Sequence, residues 1–132
     1  MSESSVAPSM RFGLVKFVVR DLAAMTAFYE RALGLEVTRT IDLPAIVEKV
    51  MNFPGDRGFS LVLYYNKDDR EVAVGSGHGP LGLYVRDVDT AFSNAVACGA
   101  TGERKPFDIG DMRIAFERDP EGREIEFLSM RG

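Results

Sequence analysis

A few ionisable side chains interrupt apolar, strand-like segments of the chain at positions that could carry chemistry. Lys16 lies within LVKFVV, and Glu124 and Glu126 alternate with apolar residues in EIEFL. A lysine in a half-buried cleft is energetically costly unless a carboxylate pairs with it. A desolvated pair could act as acid and base or anchor an anion, and it could also be purely structural. Lys16, Glu124 and Glu126 are therefore candidates for such a pair.

The elements that position these side chains form an internal repeat. The tetrapeptide VRDL begins at Val19, and VRDV begins at Val85, 66 residues later. Each copy follows an apolar run and precedes a helical pattern that ends near a glycine. Because a repeated unit usually cannot bury its apolar face alone, we expect the two copies to pack together around a concave cleft. Function should then lie at corresponding positions of the two halves.

Hydrophobic periodicity predicts the same order of elements, βαβββ, in both halves. Asp21 is the expected N-cap of a first helix that ends at Gly34, and Asp87 or Asp89 that of a second helix that ends at Gly99. The prediction is an α+β fold of two βαβββ modules. The expected organisation is a disordered tail (1–10) and one domain (11–132), with module one at about 11–66, a linker at 67–79 and module two at about 80–129.

Composition excludes several classes of protein. The net charge is −4, and 27% of residues are charged without any block of like sign, which argues against a nucleic-acid partner. No apolar run is long enough to span a membrane, so no membrane partner is expected. The single cysteine and the lack of a signal-like N-terminus suit a cytoplasmic protein.

The motifs resemble those of the vicinal oxygen chelate superfamily, which includes glyoxalase I, bleomycin-resistance proteins and extradiol dioxygenases. They are VRDL with AFYERALGLE in the first half, LYVRDVD in the second, and DPEGREIEFL near the end. The resemblance covers about residues 11–129. It implies that the two βαβββ modules form a U-shaped mixed sheet around a cleft, in which most members bind one divalent metal.

The resemblance also assigns four metal-ligand positions, of which only one carries a donor side chain. They correspond to Leu14, Val62, Pro80 and Glu126. Divalent metals require N, O or S donors, commonly three or more. The sequence therefore predicts no metal and no other cofactor. A non-standard site built from His78 and Glu126 remains open, although an exposed loop histidine or a ligand contact at the cleft rim is favoured for His78.

If the family register holds, the cleft is largely apolar with a few polar groups, which is typical of a small-molecule pocket. The predicted ligand-binding residues are Leu14, Val62, Tyr64, Pro80, Tyr84, Glu124 and His78. Lys16 should face Glu126 across this cleft, either as an ion pair that fills the vacant metal position or as an acid–base pair.

Two functions follow from this pattern. The first is a metal-independent protein of the glyoxalase and bleomycin-resistance type that binds an apolar or aromatic ligand in the cleft. The alternative is a lyase or isomerase of the superfamily that uses Lys16 and Glu126, or a non-standard metal site, on a carbonyl substrate. A degenerate structural or regulatory subunit is a weaker third interpretation. The resemblance further implies a homodimer, in which some members of the superfamily exchange modules between chains.

Overall fold

The computed structural model describes residues 7–130, so the first six residues of the expected tail lie outside the described part of the chain. Two helices and eight strands follow one another in two βαβββ modules. They are β1 (Leu14–Val18), α1 (Leu22–Leu33), β2 (Glu36–Asp42), β3 (Ile46–Asn52), β4 (Ser60–Asn66), β5 (Leu81–Tyr84), α2 (Val88–Ala97), β6 (Thr101–Ile109), β7 (Met112–Arg118) and β8 (Glu124–Met130). The α+β class and the repeat are confirmed.

The eight strands form two four-stranded mixed sheets with the same topology. The strand orders are β1-β4-β3-β2 and β5-β8-β7-β6. In each sheet the first strand is parallel to the last strand of its module, and the other neighbours are antiparallel. β1 and β5 are both edge strands, so each has one side without a strand partner.

Both helices begin at the predicted aspartates. The Asp21 carboxylate accepts a hydrogen bond from the Ala24 N–H, and Asp87 accepts one from the Thr90 N–H. Hydrogen bonds from Thr90 lower the pKa of Asp87. At the end of α1, Gly34 adopts φ +77°, a left-handed conformation that favours glycine.

One face of each sheet packs against its helix, and strand periodicity directs alternate residues to the other side. The buried core includes Leu61 and Leu63 of β4 and Ile125 and Phe127 of β8. Burial of a side chain of this size contributes about 1.5–3 kcal/mol. We call the opposite side of each sheet its helix-free face, and the site residues lie on these faces.

The two modules are joined by a buried polar cluster. The Asp119 carboxylate accepts hydrogen bonds from the Tyr29 hydroxyl (2.7 Å) and the Arg123 guanidinium (3.3 Å). Arg123 also donates to the Val18 carbonyl. The Glu121 carboxylate accepts from the Asp21 N–H at the start of α1 (2.8 Å). The DPEGR segment of module two is therefore hydrogen-bonded to the N-terminal end of the first helix of module one.

Candidate functional site

A lysine–glutamate pair lies on the helix-free face of module one. Lys16 Nζ is 2.6 Å from Glu48 Oε2, and the side chains are 47% and 10% exposed, respectively. Apart from this ion pair, Glu48 Oε2 has no hydrogen-bond partner among residues 7–130. The pair therefore combines a solvent-accessible ammonium with a nearly buried carboxylate.

The strand register explains how these two residues meet. Lys16 is opposite Val62 across the β1–β4 pair, and Glu48 is opposite Tyr64 across β3–β4. Lys16 Nζ also lies 5.5 Å from the centroid of the Tyr64 ring. The structure thus confirms that Lys16 and Tyr64 share a face, as strand alternation predicts.

The expected pairing of Lys16 with Glu126 is wrong within this chain, because Glu48 occupies the partner position. Glu126 lies in the other sheet, opposite Gly82 and Phe116, and forms no ion pair among the described residues. The family's ligand positions do not include Glu48, so the resemblance does not point to it. The signal was present in IVEKVMN, where alternation places Glu48 on the same face as Val50.

Two of the seven predicted ligand-binding residues line a cavity of about 510 Å³ beside the free edge of β1. Lys16, His78 and Pro80 lie on its wall with Arg123 and apolar side chains. The His78 ring nitrogens lie 3.0 Å from the Gly79 carbonyl oxygen and 3.2 Å from that of Val74. His78 is exposed and is held by its own loop.

Tyr84 and Glu124 lie apart from this cavity. Tyr84 is 81% exposed and borders a second, largely apolar cavity of about 500 Å³ between α1 and β5. Glu124 Oε2 is 3.7 Å from Arg118 Nη2. The structure therefore distributes the predicted site over two faces and two cavities.

The four metal-ligand positions implied by the resemblance do not fit a divalent metal. Leu14 is 53% exposed and Val62 is 2% exposed, and neither these residues nor Pro80 carries a donor atom in its side chain. Within residues 7–130 no three His, Cys, Asp or Glu side chains come close enough to hold a metal ion. His78 and Glu126 are not joined in such a group.

The two βαβββ modules place the protein in the glyoxalase fold class, and the chain belongs to the family of that name. The family model of the glyoxalase/bleomycin resistance protein/dioxygenase superfamily matches residues 11–127. The vicinal oxygen chelate resemblance is thereby confirmed.

Relatives of the chain in sequence include proteins named lactoylglutathione lyase. The chain is 30% identical over 125 residues to a lactoylglutathione lyase of Arabidopsis thaliana, covering 89% of this chain and 44% of the relative. It is 29% identical over 115 residues to the lactoylglutathione lyase of Haemophilus influenzae, covering 83% and 85% of the two chains. The chain thus spans less than half of the plant relative.

Solved structures agree with this assignment. Glyoxalase I from Zea mays superposes with a TM-score of 0.83 at 25% identity, covering 92% of this chain and 45% of the maize chain. The trypanothione-dependent glyoxalase I of Leishmania major gives a TM-score of 0.78 at 25% identity, with 92% and 87% covered. In the described part of the chain neither helix has the length and apolar character needed to cross a membrane.

Proposed function

We propose that the protein is a lyase or isomerase of the glyoxalase superfamily that acts on a small carbonyl compound without a metal. The observation that carries this proposal is the Lys16–Glu48 pair, with Nζ and Oε2 2.6 Å apart on the helix-free face. Relatives named lactoylglutathione lyase support the reaction class.

The pair supplies the two groups that isomerisation of an α-hydroxycarbonyl compound requires. The Glu48 carboxylate takes a proton from the carbon next to the carbonyl, and the Lys16 ammonium donates a hydrogen bond to the oxygen that becomes negatively charged. Glu48 then returns the proton to the former carbonyl carbon, while the hydroxyl proton of the substrate passes to the oxygen held by Lys16. A new carbonyl and a new hydroxyl form in this way, so no oxidant or further reactant is needed. General acid–base catalysis of this kind contributes about 10²–10⁴-fold to a rate.

We expect Lys16→Met and Glu48→Gln each to lower kcat/KM by about 100-fold or more. The assay supplies methylglyoxal and glutathione, whose hemithioacetal is an α-hydroxycarbonyl compound, and follows the absorbance of the thioester product together with exchange of substrate C–H protons in D₂O. Lys49→Met is the matched control, because Lys49 follows Glu48 in the same strand and hydrogen-bonds Thr40 instead. Its activity should stay within about twofold of the parent protein, because alternation along β3 directs its side chain to the face opposite that of Glu48.

Added Ni²⁺, Zn²⁺, Mn²⁺ or Fe²⁺ should leave this activity unchanged. Activity that appears only with metal would contradict the proposal, and so would turnover that survives loss of both Lys16 and Glu48. Melting curves of the Lys16→Met/Glu48→Gln double variant separate a catalytic defect from misfolding, since that variant leaves no unpaired charge.

A second candidate function is metal-independent binding of an apolar or aromatic ligand. It is favoured by the purely hydrocarbon side chains at Leu14, Val62 and Pro80 and by the largely apolar cavity beside Tyr84. Binding of an aromatic compound without turnover or deuterium exchange would favour this function over the enzyme.

We further propose that two copies of the chain pair through the free edges of β1 and β5. Apolar and aromatic side chains near these edges are exposed, including Leu14 at 53% and Tyr84 at 81%. Unpaired strand edges favour association. Sedimentation equilibrium is expected to give a dimer, and Tyr84→Arg to shift it towards monomer; a monomeric parent protein at high concentration would refute this pairing.

A further inference from the structure

The helix-free face of module one carries a relay of three neutral polar side chains that runs from β2 to β4. The Thr38 hydroxyl donates to Asn52 Oδ1 at 2.7 Å, and Asn52 Nδ2 donates to Ser60 Oγ at 2.9 Å. Asn52 is 2% exposed, whereas Ser60 is half-buried at the start of β4. A buried amide of this kind must satisfy both its oxygen and its nitrogen.

The direction of each hydrogen bond in this relay follows from chemistry. Asn52 Nδ2 also lies 2.9 Å from the Phe59 carbonyl oxygen, which can only accept. The nitrogen of the amide must therefore face Phe59, and the oxygen must face Thr38. Since the amide nitrogen only donates, Ser60 Oγ accepts from Asn52 and keeps its own proton. Among residues 7–130 no acceptor is hydrogen-bonded to that proton.

Module two places a different relay at the corresponding positions. Each outer strand has a β-bulge, after Val37 in β2 and after Gly102 in β6. Beside the second bulge, Arg118 Nε lies 2.6 Å from Glu103 Oε2, and Arg118 Nη2 lies 3.7 Å from Glu124 Oε2. Thr38, Asn52 and Ser60 thus correspond to Glu103, Arg118 and Glu124. At the matching position, module one therefore has a hydroxyl donor, Ser60, and module two has a carboxylate acceptor, Glu124.

We propose that Ser60 donates a hydrogen bond to an oxygen of the bound small molecule, with Asn52 and Thr38 as its positioning residues. Ser60 is opposite Leu14 in the β1–β4 pair. Lys16 lies two residues further along β1 on the same face, about 6–7 Å away along the strand. The ligand is therefore a compound with a carbonyl or ether oxygen close to its reactive carbonyl. This proposal rests on the proposed function only in assuming that the helix-free face holds the ligand.

The test compares two ligands of nearly equal shape, 2-acetylnaphthalene and 2-ethylnaphthalene, which differ by a carbonyl oxygen. Ligand-observed NMR titration of the parent protein should show about 3- to 10-fold tighter binding of the ketone, the range of one neutral hydrogen bond. Ser60→Ala should abolish the preference, and Ser60→Thr, which retains a hydroxyl, should preserve it.

Asn52→Asp tests the relay itself, because a carboxylate at this position accepts the Ser60 proton and turns it away from the ligand. It should remove the preference for the ketone even though Ser60 is still present. Equal binding of both ligands by the parent protein, or an unchanged preference in Ser60→Ala, would overturn the proposal. The ratio of the affinities for the two ligands is measured without turnover. An absence of lyase activity would therefore refute the proposed function and leave this inference standing.

Discussion

Replacement of Asp119 by alanine is expected to destabilise the protein by about 3–5 kcal/mol, the usual cost of removing one partner of a buried ion pair. Asp119 is 2% exposed and Arg123 is 4% exposed. Loss of the carboxylate removes the acceptor for the Tyr29 hydroxyl and for the Glu121 and Arg123 N–H groups. Within residues 7–130, Glu121 then remains as the one charged partner of the Arg123 guanidinium.

Urea unfolding of the parent protein and of Asp119→Ala measures this difference. Asp68→Ala is the control, because Asp68 forms an exposed ion pair with Arg70, and such pairs contribute little. Tyr29→Phe should have a smaller effect, since it removes one hydrogen bond. A loss in Asp119→Ala no larger than that in Asp68→Ala would show that the cluster does not hold the modules together.

The stability of the protein is expected to fall as the pH rises from about 5 to 8, because of one buried carboxyl group. Glu117 is 0% exposed, and neither carboxylate oxygen has a hydrogen-bond partner within the described residues. It faces the core between Gly102 and Ile125. Desolvation raises its pKa from 4.5 to about 8.

The sign follows from proton linkage. Between these two pKa values the folded protein retains a proton that the unfolded chain has released, so unfolding becomes easier with each increase in pH. Across the interval between the two pKa values, the free energy of unfolding falls by at most about 5 kcal/mol, at 1.36 kcal/mol per pH unit. Below pH 4.5 both states are protonated, and this penalty is absent.

Glu117→Met tests this directly, because methionine has a similar length and no charge to bury. The stability difference between the variant and the parent, measured by urea unfolding at pH 5 and pH 8, should increase with pH in favour of the variant. Other titrating groups cancel in that difference. A difference that is independent of pH would mean that Glu117 is ionised or solvated in the folded protein.

Much of the fold could be predicted because the same local sequence motifs occur in both halves of the chain. The VRDL and VRDV motifs each place an aspartate at a helix N-cap, and Asp21 and Asp87 cap the helices as expected. Strand alternation also placed Lys16 on the face of β1 opposite Val15 and Phe17, which pack against the core. These features depend on neighbours in sequence, so the pattern of residue types determines them.

The partners of the charged residues could not be predicted in the same way. Lys16 and Glu48 are in strands that do not pair with each other, and β4 separates them in the sheet. Their contact depends on strand order and register. The family's ligand positions include Glu126 and not Glu48, so the resemblance predicted the wrong partner. The Thr38–Asn52–Ser60 relay likewise depends on a bulge whose position is set by the pairing of β2 with β3.

The sequence by itself therefore determined the α+β class, the repeated module, the capped helices and the lack of donor side chains at Leu14, Val62 and Pro80. Each of these depends on residue type and local spacing. Only the tertiary structure decided that Lys16 pairs with Glu48, that Asp119 holds Tyr29 across the two modules, and that Glu117 is buried without a partner. These are contacts between distant segments, and their energies depend on burial and geometry that exist only once the modules have packed together.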